Sequence, residues 1–460
     1  MFKKIDIWIL YLVLVFVLIS YIIFGAMVIR EHDKGGHIPI ISSISKVAYF
    51  FSTIPRNLKK ALSKEIKSPF AAKENRFKNQ YGFNGNPNVE KKYLLLSRYD
   101  GFLIECVVEL IDLKTFQVLH TWNPDINSIL NEVDTKEKVI FENLKRDRND
   151  TRFIMTHPYL NENGNLTFHN HSPLFIINSN SNLIHIKDDN IYHHSNEVDF
   201  EGNLWVCVKY FPFKIDKTLV GTEVSNYHDD GIRLLSPQLE ILYDKSITEI
   251  FIENKMDYLL FSTGDRGFEK DPIHLNDIEP VNFNSKYWRK GDIFLSLRHQ
   301  SMILLFRPSS NEILWIGTGP FYHQHDVDIL DQNRISIFNN NSKDTYNKEI
   351  VDGNNQVIIY NFETDKYSLY LDESLKKHDV RTITEGRSQI LPNGDLFIEE
   401  TNYGRNLYFN SDGSLRWEFV NRSKNGDLKH VSWSRIFYSE NDIKKVQTFL
   451  KLKNKESHNE

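Results

Sequence analysis

From residue 90 onward one unit recurs along the chain: a short β-rich run, a turn containing Asn-Gly, Asp-Gly or Glu-Gly, then another alternating run. The runs include KYLLLSRYD, CVVELIDL, NLWVCVKYF, DIFLSLR, MILLFRP, RISIFNN and LRWEFV, and helical periodicity is nearly absent until the last 20 residues. Period-two patterning punctuated by turn residues at this spacing predicts strands, and sustained over so much chain it predicts a closed or radial all-β architecture. With 25% charged residues, 31 Phe and 21 Tyr, the chain has the means to bury a core.

The repeats share a frame in which a polar residue, often histidine, precedes a turn residue and a strand. His157 precedes Gly164, His194 precedes Gly202, His325 precedes Asn333 and Arg387 precedes Gly394, while His274 begins a copy whose turn is enlarged by an insertion. A second feature is the strand ending in tryptophan, at Trp122, Trp315 and Trp417. In a β-propeller the innermost strand of each blade lines a central channel, so equivalent positions converge on the axis. The frame therefore predicts that His157, His194, His274, His325 and Arg387 gather there.

Ile7 to Ile29 is 23 residues without a charge, enough to span a bilayer's hydrocarbon core as a helix. A cleaved signal peptide has a shorter apolar region and a small-x-small site, which Gly25-Ala26-Met27 imitates poorly, so an uncleaved anchor is the expectation. Lys3 and Lys4 on one side face Arg30, Lys34 and Lys46 on the other, and charge bias does not fix the orientation. The following SSISKVAYFFSTIPRNLKKALSKEIKSPF reads equally as an interfacial helix or as a spacer. The expected organisation is a membrane anchor over 1–30, a partly helical linker over 31–90, the β-body over 91–440 and a C-terminal helix or tail over 441–460.

A net charge of −5 provides no basic field for a nucleic-acid backbone, so no nucleic-acid partner is expected. Two cysteines, Cys106 and Cys207, exclude a disulfide scaffold and a cysteine-clustered metal site; one bridge or two buried thiols both fit, the thiols better. No Gly-x-Ser-x-Gly elbow supports a serine hydrolase.

The stretch His274 to Asn341 resembles the bacterial arylsulfate sulfotransferase family. The matching residues are His274-Leu275-Asn276, Ser296-Leu297-Arg298-His299-Gln300-Ser301, the strand closing at Trp315, and Gln324-His325. The opening YLLLSRYDGFLIECVVELIDLKTFQVLHTW, HHSNEVDFEGNLWV and LPNGDLFIEETNYGRNLYFNSDGSLRWEF are similar to further blades of the family, so the resemblance covers about 90 to 437. It implies a six-bladed β-propeller, here behind a single transmembrane helix, transferring a sulfuryl group between phenols without a nucleotide donor. It further implies a phenolic sulfate donor and a phenolic acceptor as small-molecule partners, no cofactor and no metal. The implied location is the inner membrane, single-pass, with the propeller in the periplasm; a homodimer is left open.

Carried over on the matching motifs, His325 is the nucleophile that becomes a sulfohistidine, His274 and Arg298 hold the sulfuryl oxygens, and His194 is a further channel histidine. The chain departs from the family in having Phe338-Asn339-Asn340-Asn341 where the pattern is Phe-Asp-Asn-Gly, and in carrying an anchor. Sulfuryl transfer needs positioning and donors for three equatorial oxygens, which an always-charged guanidinium and histidines can supply. A protonated His194 or His274 would serve the departing phenolate. His323, two residues before His325, is the competing candidate on that strand; His193 is expected on the opposite face from His194, and His299 away from the site. Two other functions compete: a non-catalytic propeller binding a protein or glycan, and a metal-dependent hydrolase or lyase using the channel histidines.

Overall fold

The computed structural model describes residues 6–33, 70–133, 149–221, 227–262, 269–346 and 348–456. They fall in two compact units, Met1–Ser68 and Pro69–Glu460. The described part of the first unit is one helix, α1 (Ile7–Asp33), whose segment Ile7–Gly25 is long and apolar enough to cross a membrane. That length and composition suit a membrane anchor and a signal sequence alike. The expected interfacial helix or spacer lies outside the described residues, apart from Phe70.

The second unit is all-β and propeller-like. Among its described residues are five sheets of four or more antiparallel strands and one two-stranded hairpin. Tyr93–Asp100, Glu105–Asp112 and Gln117–Trp122 form the first meander, and Arg435–Phe437 from the far end of the chain pairs with its inner strand. The seven-stranded sheet joins two four-strand runs through the shared strand Leu183–Val198. Leu275–Pro280, Val327–Ile329 and Arg387–Ile390 open the three sheets that follow, and the hairpin of Ser342–Asp344 and Glu349–Val351 is inserted into the second of these. Gly82–Gly85 adds an outer strand to the last sheet, so that each chain end of the unit completes a sheet made by the other.

Apolar clusters close the arrangement into a ring. Leu94, Ile111, Phe397 and Trp417 join the last sheet to the first, Ile303 and Leu305 meet Ile337 and Ile358, and Phe338 and Val357 meet Leu396 and Leu407. Middle strands such as Ile293–Leu297 are buried on both faces, which is why they read as unbroken apolar runs, whereas the outer Glu312–Gly317 alternates. The repeated tryptophans sit on outer strands as staples. Trp122 Nε1 donates to Gly164 O at 3.1 Å and Trp417 Nε1 to Asn88 Oδ1 at 2.7 Å, both linking to a different element, and Trp315 stacks on Tyr360 with centroids 4.9 Å apart.

Two expectations change in detail. The β-body begins before residue 91: Gly82–Gly85 pairs with Trp417–Val420, and Ala71 bridges to Lys429. Short helices over Ile126–Glu132, Ile247–Glu253 and Asp372–Lys377 lie between strands, each too brief to register as periodicity. The helix Glu440–Glu456 packs Phe449 on Trp122 (5.6 Å), directly against Gly164, where φ is +80° and an added Cβ would meet the Phe449 ring. Both cysteines are free buried thiols.

Candidate active site

One residue at or near the start of each inner strand, or at the bulge within the shared strand Leu183–Val198, has left-handed backbone geometry. These are Trp433 (φ 57°), His157 (46°), His194 (55°), His274 (51°), His323 (50°) and Glu385 (59°). None is glycine, and the conformation costs about 1–2 kcal/mol per residue. Strain repeated at equivalent positions points to a constraint at a functional site. The kinks bring the side chains together: ring centroids are 4.0 Å apart for Trp433 and His157, 6.3 Å for His157 and His194, and 5.1 Å for His194 and His274. His299 continues the chain of contacts, 4.3 Å from His274 and 6.2 Å from His323.

His325 lies two residues inside this ring, 1% exposed, its centroid 6.4 Å from that of His194. The backbone N–H of Glu385 donates to its Nε2 (3.1 Å), so Nε2 bears a lone pair and Nδ1 bears the proton, which it donates to Asn340 Oδ1 at 2.6 Å. Asn340 cannot turn over, because its Nδ2 donates to Thr382 O and Glu385 O. Burial, then the charge of Arg298, hold His325 well below its usual pKa, so it is neutral at pH 7. Gln324 locks the segment in place by donating to Ser296 Oγ, Leu297 O and Met302 O.

Arg298 and His274, from the preceding sheet, act on this imidazole through their charge and are tied together by the Arg298 N to His274 O bond of 3.1 Å. Arg298 Nη2 donates to Glu349 Oε1 (2.6 Å), while its Nε is buried without a partner. Glu349 comes from the inserted hairpin and also meets His323 Nδ1 at 3.2 Å and the Ser342 hydroxyl at 2.9 Å. Burial pushes its carboxyl up, but His323 and Arg298 outweigh that and hold it at about 2. His274 Nδ1 is 2.7 Å from Asp271 Oδ2, which His228 Nδ1 approaches at 3.3 Å. Burial opposes ionisation of Asp271, yet His228 and His274 keep it far below the usual carboxylate range.

On the other side of the cluster the carboxyl near the histidines is Asp230, 3.6 Å from His193 Nε2, and burial, then the charge of Asp271, push it well above the usual carboxylate range. His194 Nδ1 lies 2.7 Å from His193 Nδ1, and His169 donates from Nε2 to His194 O at 3.0 Å. Burial first, then neighbouring histidines, depress His157, His193 and His194 well below 6.5, and put His169 at about 3. The structure thus brings His194, His274, Arg298 and His325 into one cluster, but leaves His194 without the proton expected of an acid. Further along the inner strands Asp277 and Asp326 accept from Val327 N and Ser388 N, clamping each inner strand to the next. Arg387 pairs with Asp326 (3.5 Å) and lies over Trp433 (5.1 Å), a packing role.

Asp271, His274 and His299 form one group of metal-capable atoms within 4.8 Å of one another, and His323, Asp344 and Glu349 a second. In both groups these donors also hydrogen-bond among themselves.

A family model described as arylsulfotransferase (ASST) matches residues 158–422. The chain belongs to the arylsulfotransferase family. That membership carries transferase activity and, in general terms, aryl sulfotransferase function. No curated protein matches the chain. Solved structures it resembles include a Bacteroides caccae protein of unknown function, at 11% identity and TM-score 0.46, covering 77% of this chain and all of that one. Others are a nidogen/laminin complex (7%, TM-score 0.42, 76% and 99% covered) and virginiamycin B lyase from Staphylococcus aureus (10%, TM-score 0.32, 58% and 70% covered). At such scores none enters the argument.

The departure from the arylsulfotransferase pattern at Phe338-Asn339-Asn340-Asn341 leaves the essential geometry intact. Asn340, the residue that matches the pattern, is the one bonded to His325. Asn341 occupies the glycine position with φ 50°, a conformation asparagine tolerates, and Asn339 Oδ1 accepts from Tyr322 N and Asn341 N.

Three expectations within the site need correction. The common backbone frame passes through His323 and Glu385, with His325 and Arg387 two residues further on. His193 and His194 do not point to opposite faces, because the kink at His194 and a bulge between His193 and Asn196 break the alternation. His299 is beside the site, its Nδ1 on Asp271 O at 2.6 Å. Sequence reasoning missed Asp271, Asn340, Glu349 and Glu385. Asp271 could have been noticed three residues before His274, and Asn340 in the asparagine run, but Glu349 sits in an insertion with no motif.

Proposed function

We propose that this chain is a membrane-anchored aryl sulfate sulfotransferase that works by a ping-pong mechanism through a sulfohistidine at His325, without a nucleotide donor. The observation that carries the reading is the fixed tautomer of His325, a neutral imidazole whose Nδ1–H is held by Asn340 and whose Nε2 lone pair, accepting from the Glu385 N–H, becomes the nucleophile when that bond gives way to the substrate. Such an imidazole is a competent nucleophile near pH 7. In the first half-reaction Nε2 attacks the sulfur of a phenolic sulfate and the S–O bond to the phenolate breaks. In the second a phenolic acceptor attacks the sulfohistidine, returning His325 to its neutral form. Arg298 offers donors to the equatorial oxygens, its unengaged Nε among them, and Asp271 aims His274 at the same group.

Several finer points belong to the same proposal. Counting the seven-stranded sheet as two blades gives six, a number supported by the six kinked residues. Helix α1 serves as an uncleaved inner-membrane anchor with the propeller in the periplasm, the side on which the resembling enzymes work. The partners are small phenolic sulfates and phenols. A second reading, a metal-dependent reaction, is favoured by the Asp271, His274 and His299 group, and metal analysis of the purified protein separates it from the first. The direct test is rapid mixing with a chromogenic aryl sulfate in the absence of acceptor. A burst of phenolate stoichiometric with enzyme is expected; steady release without a burst contradicts the covalent mechanism.

A further inference from the structure

His274 has neighbours that its role beside the sulfuryl group does not use. Three imidazoles surround one carboxylate oxygen: Asp271 Oδ2 is 2.7 Å from His274 Nδ1, 3.3 Å from His228 Nδ1 and 3.7 Å from His299 Nδ1. Aiming His274 requires one such contact, and the carboxyl's other oxygen, Oδ1, is buried without a hydrogen-bond partner among the described residues. We propose that Asp271, His274 and His299 form an inhibitory site for a first-row transition-metal ion of the zinc class, with His228 as the outer partner of the carboxylate. The effect on turnover rests on the sulfotransfer reading above, whereas binding of the ion does not.

Zinc bonds to nitrogen and oxygen of about 2.0–2.2 Å, arranged as a tetrahedron, put neighbouring ligand atoms roughly 3.3 Å apart. The ligand atoms of Asp271, His274 and His299 lie within 4.8 Å of one another, and Asp271 Oδ2 stands 2.7 and 3.7 Å from the two histidine nitrogens, on either side of that length. Backbone bonds hold the donors in place beforehand. His228 N donates to Lys270 O at 2.7 Å, Arg298 N to His274 O at 3.1 Å and His299 N to Ile273 O at 3.2 Å. The four side chains are between 15% and 39% exposed, which gives an ion a way in. Three protein ligands leave a fourth position for water.

The donor set also selects the ion. Imidazole suits zinc, copper and nickel, whereas magnesium and calcium favour oxygen. The second metal-capable group has one imidazole and two carboxylates, and Arg298 Nη2 already lies 2.6 Å from Glu349 Oε1, a cation in the place of an ion. When an ion binds at Asp271, the proton between His274 Nδ1 and the carboxylate goes to solvent, and the ion takes the nitrogen lone pair and the carboxylate charge together. His274 is then held toward His299, whose ring centroid is 4.3 Å away, instead of serving sulfuryl oxygens on the side of His194, 5.1 Å away. Binding of the ion and sulfuryl transfer therefore oppose each other.

The test uses the full chain, freed of metal by a chelator that is then removed. Titration with cobalt, which takes zinc sites and colours them, should give visible absorption bands that saturate at about one ion per chain. Saturating zinc should lower turnover of 4-nitrophenyl sulfate roughly tenfold or more by misplacing His274, and magnesium should leave it unchanged. His299→Gln keeps a donor for Asp271 O. Its metal-free turnover should stay within about threefold of the wild type, and it should need roughly tenfold more zinc, or beyond, for the same inhibition. Absence of cobalt bands in the wild type, or equal zinc sensitivity in the variant, overturns the site. Turnover that zinc raises overturns the inhibition and favours the metal-dependent reading. Should His299→Gln fail to fold, His299→Ala takes its place on the same terms. If the metal-free wild type turns over no aryl sulfate, the sulfotransfer reading falls, and the cobalt titration still decides the site.

Discussion

The two flanks of the cluster are built from the same residue type to opposite effect. On one side His157, His169, His193 and His194 are buried against each other and against Trp433, and burial, reinforced by the cost of charging one histidine beside another, keeps them neutral. On the other, His274 and His323 each meet a carboxylate, Asp271 and Glu349, with Arg298 between them. Histidine therefore has no fixed role in this fold. The flank of Asp271, Arg298 and Glu349 is built from charged groups, while the histidine wall offers shape and neutral donors that suit an aromatic ring. His325 lies where the flanks meet and takes its neutrality from burial and its orientation from Asn340.

If that division is correct, variants on the charged flank should cost activity and those on the neutral wall should cost stability. The largest effect is expected for Arg298→Lys, since an ammonium cannot keep both the bond to Glu349 and a donor toward the substrate; kcat/KM should fall on the order of 100-fold. Asp271→Asn should lower it about tenfold by loosening His274, with the thermal midpoint little changed. His169→Phe should give the smallest activity change, under about threefold. It should also destabilise the protein by roughly 1–3 kcal/mol, because the His194 carbonyl loses its buried donor. Denaturation curves measured beside the kinetics test the division, and a large activity loss at His169 with unaltered stability would break it.

Much of this site was legible because its motifs are contiguous. Arg298-His299-Gln300-Ser301 and Gln324-His325 supply the proposed nucleophile and its neighbours, and the two glutamines fasten backbone to backbone, Gln300 to Pro272 O and Gln324 to Leu297 O. The apolar runs were equally readable, since strands buried on both faces cannot alternate. What the sequence concealed is conformational. A positive φ at histidine, glutamate or tryptophan leaves no mark of the kind glycine does, so the frame was set two residues late at His323 and Glu385, and His193 was assigned to the wrong face. Carboxylates that arrive from elsewhere, such as Glu349 on its inserted hairpin, have no spacing that betrays them.

The central claim is that His325 accepts the sulfuryl group. Intact mass of the full chain after mixing with a chromogenic aryl sulfate, in parallel for the wild type and His325→Ala, tests it directly. A mass gain of one sulfuryl group is expected in the wild type, reversed by adding a phenol, and none in the variant, which should stay folded with a lowered thermal midpoint because Asn340 Oδ1 and the Glu385 N–H lose their partner. A wild type that releases phenol without gaining mass, or a His325→Ala protein that gains it, would contradict the account.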